Sequence, residues 1–191
     1  MINTKKVLYV GFHKTGTTSI RVLLSRMGLT VNDVWVKYGW DKHLSTIERH
    51  AMDIIYKFDG LQDNPWFCLY KLIDERFPES KFIFYEREVN SWYESACKYF
   101  KAKNMVGKNT PTMFKYIYGE DHSCPLSNKE HWIKTYLNHS NNVRSYFKNR
   151  PKDFLEIADF NDKSAQQIGN FLGYENSQKL KMPHINKFQN K

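Results

Sequence analysis

Three short apolar runs divide the chain, each bounded by polar or turn-forming residues. Runs of this length suit buried strands, because a strand covered on both faces is continuously apolar. The longer segments between them carry their apolar residues at helical spacing. Strands that alternate with helices predict an α/β protein with a central parallel sheet between two helical layers, a three-layer α/β/α fold. The predicted strands are residues 6–10, 81–86 and 154–157, with a further candidate at 29–36.

Capping residues set the predicted helix boundaries. A glycine after the last periodic residue ends a helix, and a serine followed three positions later by glutamate begins one. Proline fits the first helical turn, where its missing N–H costs nothing. The predicted helices are 17–27 before Gly28, 65–77 from Pro65, and 164–172 before Gly173, with capping boxes starting at Ser45, Ser91 and Ser127 and a turn-rich connection at 59–65.

The segment 104–127 differs from the rest of the chain. It contains two prolines and two glycines and has no sustained period, so we expect a long loop with a short helix near 114–118. Loops of this length are often functional. We predict that it forms a lid.

Size and composition indicate a single globular domain. With 191 residues, of which 16% are aromatic, the chain can bury a sizeable core. A formal charge of +9 predicts anionic partners, but the lysines are spread along the chain as on a solvated surface, so we expect no nucleic acid partner. No apolar stretch is long enough to cross a bilayer, and the start MINTKK does not resemble a secretory signal, which predicts a cytoplasmic protein. Three widely spaced cysteines indicate neither disulfides nor a metal site.

A glycine-bounded loop joins the first predicted strand to the first helix in VLYVGFHKTGTTSI, residues 7–20. Gly11 and Gly16 let the backbone bend so that N–H groups of the loop and of the first helical turn point at an anion. The spacing nearly fits the Walker A pattern, but the lysine lies inside the loop as Lys14 and Thr17 takes its usual position. The pattern indicates a phosphate-binding loop, with an ordinary strand-to-helix turn and a kinase loop as alternatives.

This loop resembles the 5′-phosphosulfate loop of sulfotransferases that use 3′-phosphoadenosine 5′-phosphosulfate (PAPS). The resemblance implies a P-loop-NTPase-like fold and PAPS as the donor, which leaves 3′-phosphoadenosine 5′-phosphate (PAP) after transfer. By this resemblance the residues that bind the 5′-phosphosulfate are His13, Lys14, Thr15, Gly16, Thr17, Thr18 and Ser19.

The strand predicted at 81–86 and the helix after it resemble the part of the same family that binds the 3′-phosphate. There an arginine at the end of the strand and a serine in the helix bind this phosphate, which implies Arg87 and Ser95. An arginine offers a planar charged fork, and the helix dipole favours an anion near its first turns. Parallel sheets bind ligands beyond the carboxyl ends of their strands, where both loops would emerge. A nucleoside triphosphate has no 3′-phosphate to fill this second position.

The resemblance continues in order through Phe171-Leu172-Gly173 and residues 182–186, so it covers nearly the whole chain. It implies one sulfotransferase domain over residues 1–191.

Sulfuryl transfer requires positioning of the reactants and compensation of charge, as phosphoryl transfer does. Lys14 is the predicted catalytic group that offsets charge, and no metal is required because the leaving phosphate is weakly basic. Asp63 is the predicted general base, since similar sulfotransferases have an acid at this point and many others a histidine. Capping of the following helix is the alternative role of Asp63. All seven histidines remain rival bases; those considered individually are His13, His43, His50, His122, His139 and His184.

The acceptor is expected to be a small molecule or a glycan, and the aromatic side chains that could line its site are Trp35, Tyr38, Trp40 and Trp66. Two other functions fit the sequence less well. A nucleotide or small-molecule kinase would need magnesium and a carboxylate near the hydroxyls of the loop. A non-catalytic binder of polyanions or nucleic acid would bind in a salt-dependent way even without Lys14.

Overall fold

The computed structural model describes residues 5–32, 46–105, 112–119 and 124–185. Within these ranges the strands form one parallel sheet in the order β2-β1-β3-β4. The strands are β1 Val7–Tyr9, β2 Gly60–Leu61, β3 Lys81–Phe84 and β4 Phe154–Glu156. The helices are α1 Thr17–Arg26, α2 Ile47–Ile54, α3 Tyr70–Arg76, α4 Val89–Ala102, α5 Thr112–Tyr118, α6 Lys129–Phe147 and α7 Asp162–Phe171, with 3-10 turns at Ile55–Lys57, Trp66–Leu69 and Ser177–Lys179.

Side chains along each central strand alternate between two helical layers. On β1, Leu8 packs in a cluster with side chains of α2, α3 and α6, whereas Tyr9 packs with side chains of α1 and α7. Phe82 and Ile83 divide between the same two clusters on β3. Both faces of the sheet are therefore buried, which confirms the three-layer α/β/α fold.

A third, aromatic cluster lies among α4, α5 and α6. The ring of Trp92 stacks on Tyr136 with centroids 4.1 Å apart, and Tyr118 stacks on Trp132 at 3.7 Å. Phe12, from the segment after β1, contributes its ring to this cluster. The segment after β1 is therefore fixed from one side by stacked rings.

Most predicted elements are confirmed with small shifts at their ends, but the second strand is not where we expected it. In the described part of 29–36, Val31 makes only an isolated bridge to Gly60, and residues 33–36 lie outside the described ranges. The second strand is β2, inside the predicted connection at 59–65. A strand of two residues is too short to show a hydrophobic period, so no sequence pattern predicted β2.

Two of the predicted caps are displaced. Helix α4 starts at Val89, where the Glu88 side chain accepts hydrogen bonds from the N–H groups of Asn90 and Ser91, so the predicted start at Ser91 is wrong. The cap of α6 is Asn128, which accepts from the N–H of His131, and not Ser127. Ser45 lies outside the described residues.

Within the described ranges, no helix has both the length and the apolar character needed to cross a membrane. The extent of the predicted single domain, 1–191, remains a prediction.

Candidate active site

Residues 10–16, the glycine loop, turn tightly between β1 and α1. The Tyr9 hydroxyl donates a hydrogen bond to the carbonyl oxygen of Thr15 at 2.7 Å, and the Thr15 hydroxyl donates to the carbonyl oxygen of Phe12 at 2.5 Å. Lys14 and Gly16 adopt left-handed backbone conformations, with φ of 65° and 94°. A Cβ on Gly16 would lie 2.5 Å from the ring of Phe160, so glycine is required there by conformation and by space. These contacts fix the shape of the glycine loop.

The glycine loop leads directly into the first turn of α1. Gly16 occupies the N-cap position, no side chain accepts a hydrogen bond there, and the first turn has no acidic residue. The first N–H groups of a helix have no partner within the helix. The start of α1 can therefore bind an anion through its backbone and its dipole.

The Lys14 ammonium group lies over the ring of Tyr99, 4.2 Å from the ring centroid. Burial lowers the pKa of Lys14 and the charge of Arg87 lowers it further, while Asp63 acts in the opposite direction. Among the described residues, this ammonium group has no hydrogen bond and no ion pair with a carboxylate. Its charge is therefore available to a ligand.

Arg87 follows β3 and reaches the glycine loop from the neighbouring strand. Its Nη1 donates to the carbonyl oxygen of Lys14 at 3.3 Å, and its Nε and Nη2 donate to the Ser91 hydroxyl at 2.9 and 2.7 Å. The Tyr136 hydroxyl donates to the carbonyl oxygen of Arg87 at 2.6 Å, which fixes the backbone. Within the described ranges, no carboxylate forms an ion pair with the guanidinium. A second cation is thus oriented next to the first.

Ser95 lies in α4 between Ser91 and Tyr99, which contact Arg87 and Lys14 respectively. Ser91, one turn before it, binds the guanidinium of Arg87, and Tyr99, one turn after it, lies under the Lys14 ammonium. Residues four apart share a helix face, so Ser95 is on the side of α4 that faces the glycine loop. Its side chain makes no hydrogen bond within the described part of the chain.

Asp63 follows β2, on the other side of β1 from Arg87. Its Oδ2 accepts a hydrogen bond from the Thr17 hydroxyl at 3.0 Å, and its Oδ1 accepts one from the N–H of Asn64 at 2.9 Å. Burial raises the pKa of Asp63, although these two hydrogen bonds and the charge of Lys14 oppose the rise. The 3-10 turn Trp66–Leu69 has no side-chain cap, so the Asp63 carboxylate does not cap it and instead contacts the start of α1 through Thr17.

Three predicted binding side chains are engaged inside the protein. The buried imidazole of His13 has its Nε2 2.6 Å from the Tyr118 hydroxyl, and the Thr15 hydroxyl donates to the glycine loop itself. The Ser19 hydroxyl accepts from the N–H of Ile185 at 3.2 Å. The Ser19 hydroxyl accepts in this contact and therefore still has its own proton to donate. The roles of all three side chains in binding PAPS remain predictions. Thr18 is half-exposed, and its hydroxyl makes no hydrogen bond with a described residue.

The rival histidines separate into three groups. His139 is almost buried, its Nε2 lies 2.8 Å from the carbonyl oxygen of Val10, and burial lowers its pKa to about 4. The ring is therefore neutral at pH 7. Its Nε2 carries the proton and donates it to the carbonyl oxygen of Val10. Burial also lowers the pKa of His13 well below its usual range. His50 is half-buried on α2 and His184 is exposed near the C-terminus; His43 and His122 lie outside the described residues.

The described part of the predicted lid is helix α5 and its neighbours. Met113, Phe114 and Tyr118 are buried, and Tyr118 contacts His13 in the glycine loop. The carbonyl oxygen of Tyr118 lies 2.8 Å from Nε2 of His131 on α6. The segment thus contacts both the glycine loop and the body of the protein, and its role as a lid remains a prediction.

The structure describes one of the four aromatic residues that we predicted to line the acceptor site. Trp66 is 1% exposed and belongs to the core. Trp35, Tyr38 and Trp40 lie outside the described residues. The described aromatic residue next to Lys14 is Tyr99, which sequence reasoning did not assign to the site. Sequence spacing could have found it, because positions 87, 91, 95 and 99 follow one another at intervals of four, the spacing of residues on one helix face. With Arg87 and Ser95 predicted in the site, this spacing adds Ser91 and Tyr99.

Among the described residues, no group of three or more histidine, cysteine, aspartate or glutamate side chains could hold a metal ion.

A family model described as a sulfotransferase domain matches residues 6–190 of the chain. The match includes β1, the glycine loop, β3, α4 and all four positions discussed above, Lys14, Asp63, Arg87 and Ser95. A search of curated proteins found no match.

Proposed function

The chain belongs to the sulfotransferase domain family, and we propose that it transfers a sulfuryl group from PAPS to a hydroxyl or amine of an acceptor. The sulfotransferase family generally uses PAPS.

One observation supports the proposal most directly. Lys14 and Arg87 come from adjacent strands, touch through the Arg87–Lys14 hydrogen bond, and have no carboxylate partner among the described residues. Two unpaired cations at one sheet edge need an anionic ligand. The side chains present fit a nucleotide that carries one phosphate at each end of its ribose.

The proposed contacts divide between two phosphates. Lys14, Thr17, Thr18 and the N–H groups at the start of α1 would bind the 5′-phosphosulfate. Arg87 and Ser95 would bind the 3′-phosphate, with Ser91 holding the guanidinium in the required orientation. All of these groups are hydrogen-bond donors, as phosphate oxygens require.

When bound, PAPS would supply the sulfuryl group: its S–O bond to the 5′-phosphate would break as an S–O bond to an acceptor hydroxyl, or an S–N bond to an acceptor amine, forms. Lys14 offsets the negative charge that develops on the departing phosphate oxygen. Asp63 accepts the proton released by the acceptor hydroxyl or amine. Its raised pKa, caused by burial, makes the carboxylate a better proton acceptor than an exposed aspartate.

The proposed acceptor is a small molecule or a glycan that reaches Lys14 beside the ring of Tyr99. We also propose a cytoplasmic setting, which the three free cysteines favour because reduced thiols are usual there.

Calorimetry with PAP, AMP and magnesium-ATP tests the proposal. Wild type should prefer PAP to AMP, and Lys14→Ala and Arg87→Ala should each lose at least roughly tenfold in PAP affinity, as expected for a buried charged contact. Lys98→Ala and Arg26→Ala remove the same charges from exposed positions and should bind PAP as wild type does. Equal affinities for PAP and AMP would remove the reason for a 3′-phosphate site.

The contact between Asp63 and Thr17 is the observation that favours a kinase, because kinases need a carboxylate near the hydroxyls of the loop. If the protein instead bound ATP much more tightly than PAP, and only with magnesium, the proposed activity would be that of a kinase and not of a sulfotransferase.

A further inference from the structure

Thr17 connects the proposed donor site to the proposed base. It is the first residue of α1, it is 6% exposed, and its hydroxyl donates a hydrogen bond to Oδ2 of Asp63 at 3.0 Å. The same hydroxyl lies at the helix terminus that would receive the 5′-phosphosulfate. One side chain therefore faces both parts of the reaction.

The hydroxyl of threonine has a single proton to donate. Ionised carboxylates and phosphate oxygens accept hydrogen bonds and do not donate them. Thr17 can therefore donate to Asp63 or to a phosphate oxygen, but not to both at once.

Asp63 has few other groups to replace this hydrogen bond. Its Oδ1 accepts from the N–H of Asn64, and the charged or titratable groups that act on it are Lys14 from the glycine loop, Tyr99 from α4 and Tyr9 from β1. Lys14 is itself needed at the phosphate in the proposed function. A shift of the Thr17 proton would thus leave Oδ2 of Asp63 open.

On the basis of the proposed function, we infer that Thr17 is a positioning residue. When PAPS binds, the Thr17 hydroxyl stops donating its hydrogen bond to Asp63 and donates it to the 5′-phosphate of PAPS instead. Oδ2 of Asp63 is then free to take the proton of the sulfuryl acceptor. Donor binding then prepares the base. Without the donor, the base stays engaged with Thr17.

The exchange has a measurable effect on protonation. A hydrogen bond to a carboxylate favours its charged form, so losing the Thr17 proton raises the pKa of Asp63. Binding of PAP would therefore take up protons at a pH between the pKa values of the free and bound protein. The charge of PAP raises the pKa of Asp63 as well, so a variant without the hydroxyl is required to separate the two effects.

The experiment follows the Asp63 carboxyl by NMR in protein labelled with ¹³C at aspartate carboxyl carbons, with the signal assigned from Asp63→Asn. Titrations from pH 3 to 9 are recorded with and without saturating PAP for wild type, Thr17→Val and Thr17→Ser. Valine keeps the branched shape of threonine, and serine restores the hydroxyl; Thr17→Ala replaces the valine variant if that protein does not fold.

We expect three results. Without PAP, the pKa of Asp63 is higher in Thr17→Val than in wild type. PAP raises it by a larger amount in wild type than in Thr17→Val, and Thr17→Ser behaves as wild type. Calorimetry in buffers of different ionisation enthalpy should show correspondingly smaller proton uptake for Thr17→Val.

Equal PAP-induced shifts in wild type and Thr17→Val would overturn the inference while the proposed function stands. An unchanged pKa in Thr17→Val without PAP would also overturn it, because Thr17 would then not stabilise the carboxylate. If wild type does not bind PAP, the proposed function fails first, and this inference fails with it.

Discussion

The guanidinium of Arg87 donates a hydrogen bond of 3.3 Å to the carbonyl oxygen of Lys14, across 73 residues of sequence. The bond joins the segment after β3 to the loop after β1. It places two cations side by side at the carboxyl edge of the sheet, where ligands of parallel sheets bind.

The planar shape of the Arg87 guanidinium should contribute to PAP affinity in addition to its charge. In Arg87→Lys the positive charge remains, but the paired hydrogen bonds to Ser91 and the bond to Lys14 are lost. We expect PAP affinity to fall roughly tenfold by calorimetry, with AMP affinity almost unchanged because AMP has no 3′-phosphate. Arg26→Lys, at an exposed position, is the matched control. Wild-type PAP affinity in Arg87→Lys would mean that charge alone suffices.

Tyr99 should act through its ring. The Lys14 ammonium lies 4.2 Å from the ring centroid, so Tyr99→Leu removes a cation–π contact whereas Tyr99→Phe keeps it. The contact contributes about 0.5–2 kcal/mol, which predicts weaker PAP binding in Tyr99→Leu because Lys14 loses its position. Calorimetry should show Tyr99→Phe close to wild type. Equal losses in both variants would assign the effect to the hydroxyl instead.

Gly16 should resist substitution more than a glycine with the same backbone in open space. Gly16 has φ of 94° and a Cβ there would meet Phe160 at 2.5 Å, whereas Gly28 has φ of 90° and nothing within 4 Å. Gly28→Ala should lower the free energy of unfolding by about 1 kcal/mol through backbone strain alone. Gly16→Ala should lose a further 1–3 kcal/mol or so because the ring must move. Urea unfolding measures both, and equal losses would show that Phe160 moves freely.

The pair between Asp74 and Arg150 should make stability depend on pH. Asp74 accepts hydrogen bonds from Arg150 and from the Tyr146 hydroxyl, and chiefly the Arg150 bonds lower the pKa of Asp74 in the folded protein. A carboxylate with a lowered folded-state pKa adds stability above its unfolded pKa and loses it as the pH falls through the folded value.

The comparison of wild type with Asp74→Asn tests this. At pH 7 wild type should be more stable by about 0.5–1 kcal/mol, the range for partly exposed pairs. The difference should shrink as the pH falls through the folded-state pKa of Asp74, because wild type then carries a neutral acid. Asp53→Asn removes a carboxylate from an exposed position on α2 and should not lower the stability at pH 7. A gap that persisted at low pH would exclude ionisation as its cause.

The glycine loop shows what local sequence could predict. The apolar run 7–10, two glycines and a following helix are consecutive in the chain, so their geometry depends on neighbours that are known from the sequence. Arg87 and Ser95 could be added because the carboxyl ends of parallel strands share one edge. Ser91 was predicted as a cap and turned out to bind Arg87, since Glu88 had already capped α4.

Asp63 shows where local reasoning stops. A helix cap and a general base were equally plausible roles for Asp63, because both suit an aspartate in a turn. Only the order β2-β1-β3 brings the turn after β2 beside the start of α1, where Thr17 donates to the carboxylate.

The sequence by itself determined the layered α/β fold and the position of the glycine loop and of Lys14 and Arg87, because periodicity, glycine and charge act over a few neighbouring residues. The tertiary structure decided which of the predicted side chains are engaged by distant parts of the chain. The His13 imidazole and the Thr15 hydroxyl are engaged by other residues of the fold. Within the described ranges, the Lys14, Thr18 and Ser95 side chains donate no hydrogen bond, and the Arg87 guanidinium donates to the Ser91 hydroxyl and to the carbonyl oxygen of Lys14. Partners so distant in the chain meet only when strands pair and helices pack, and no local pattern records that choice.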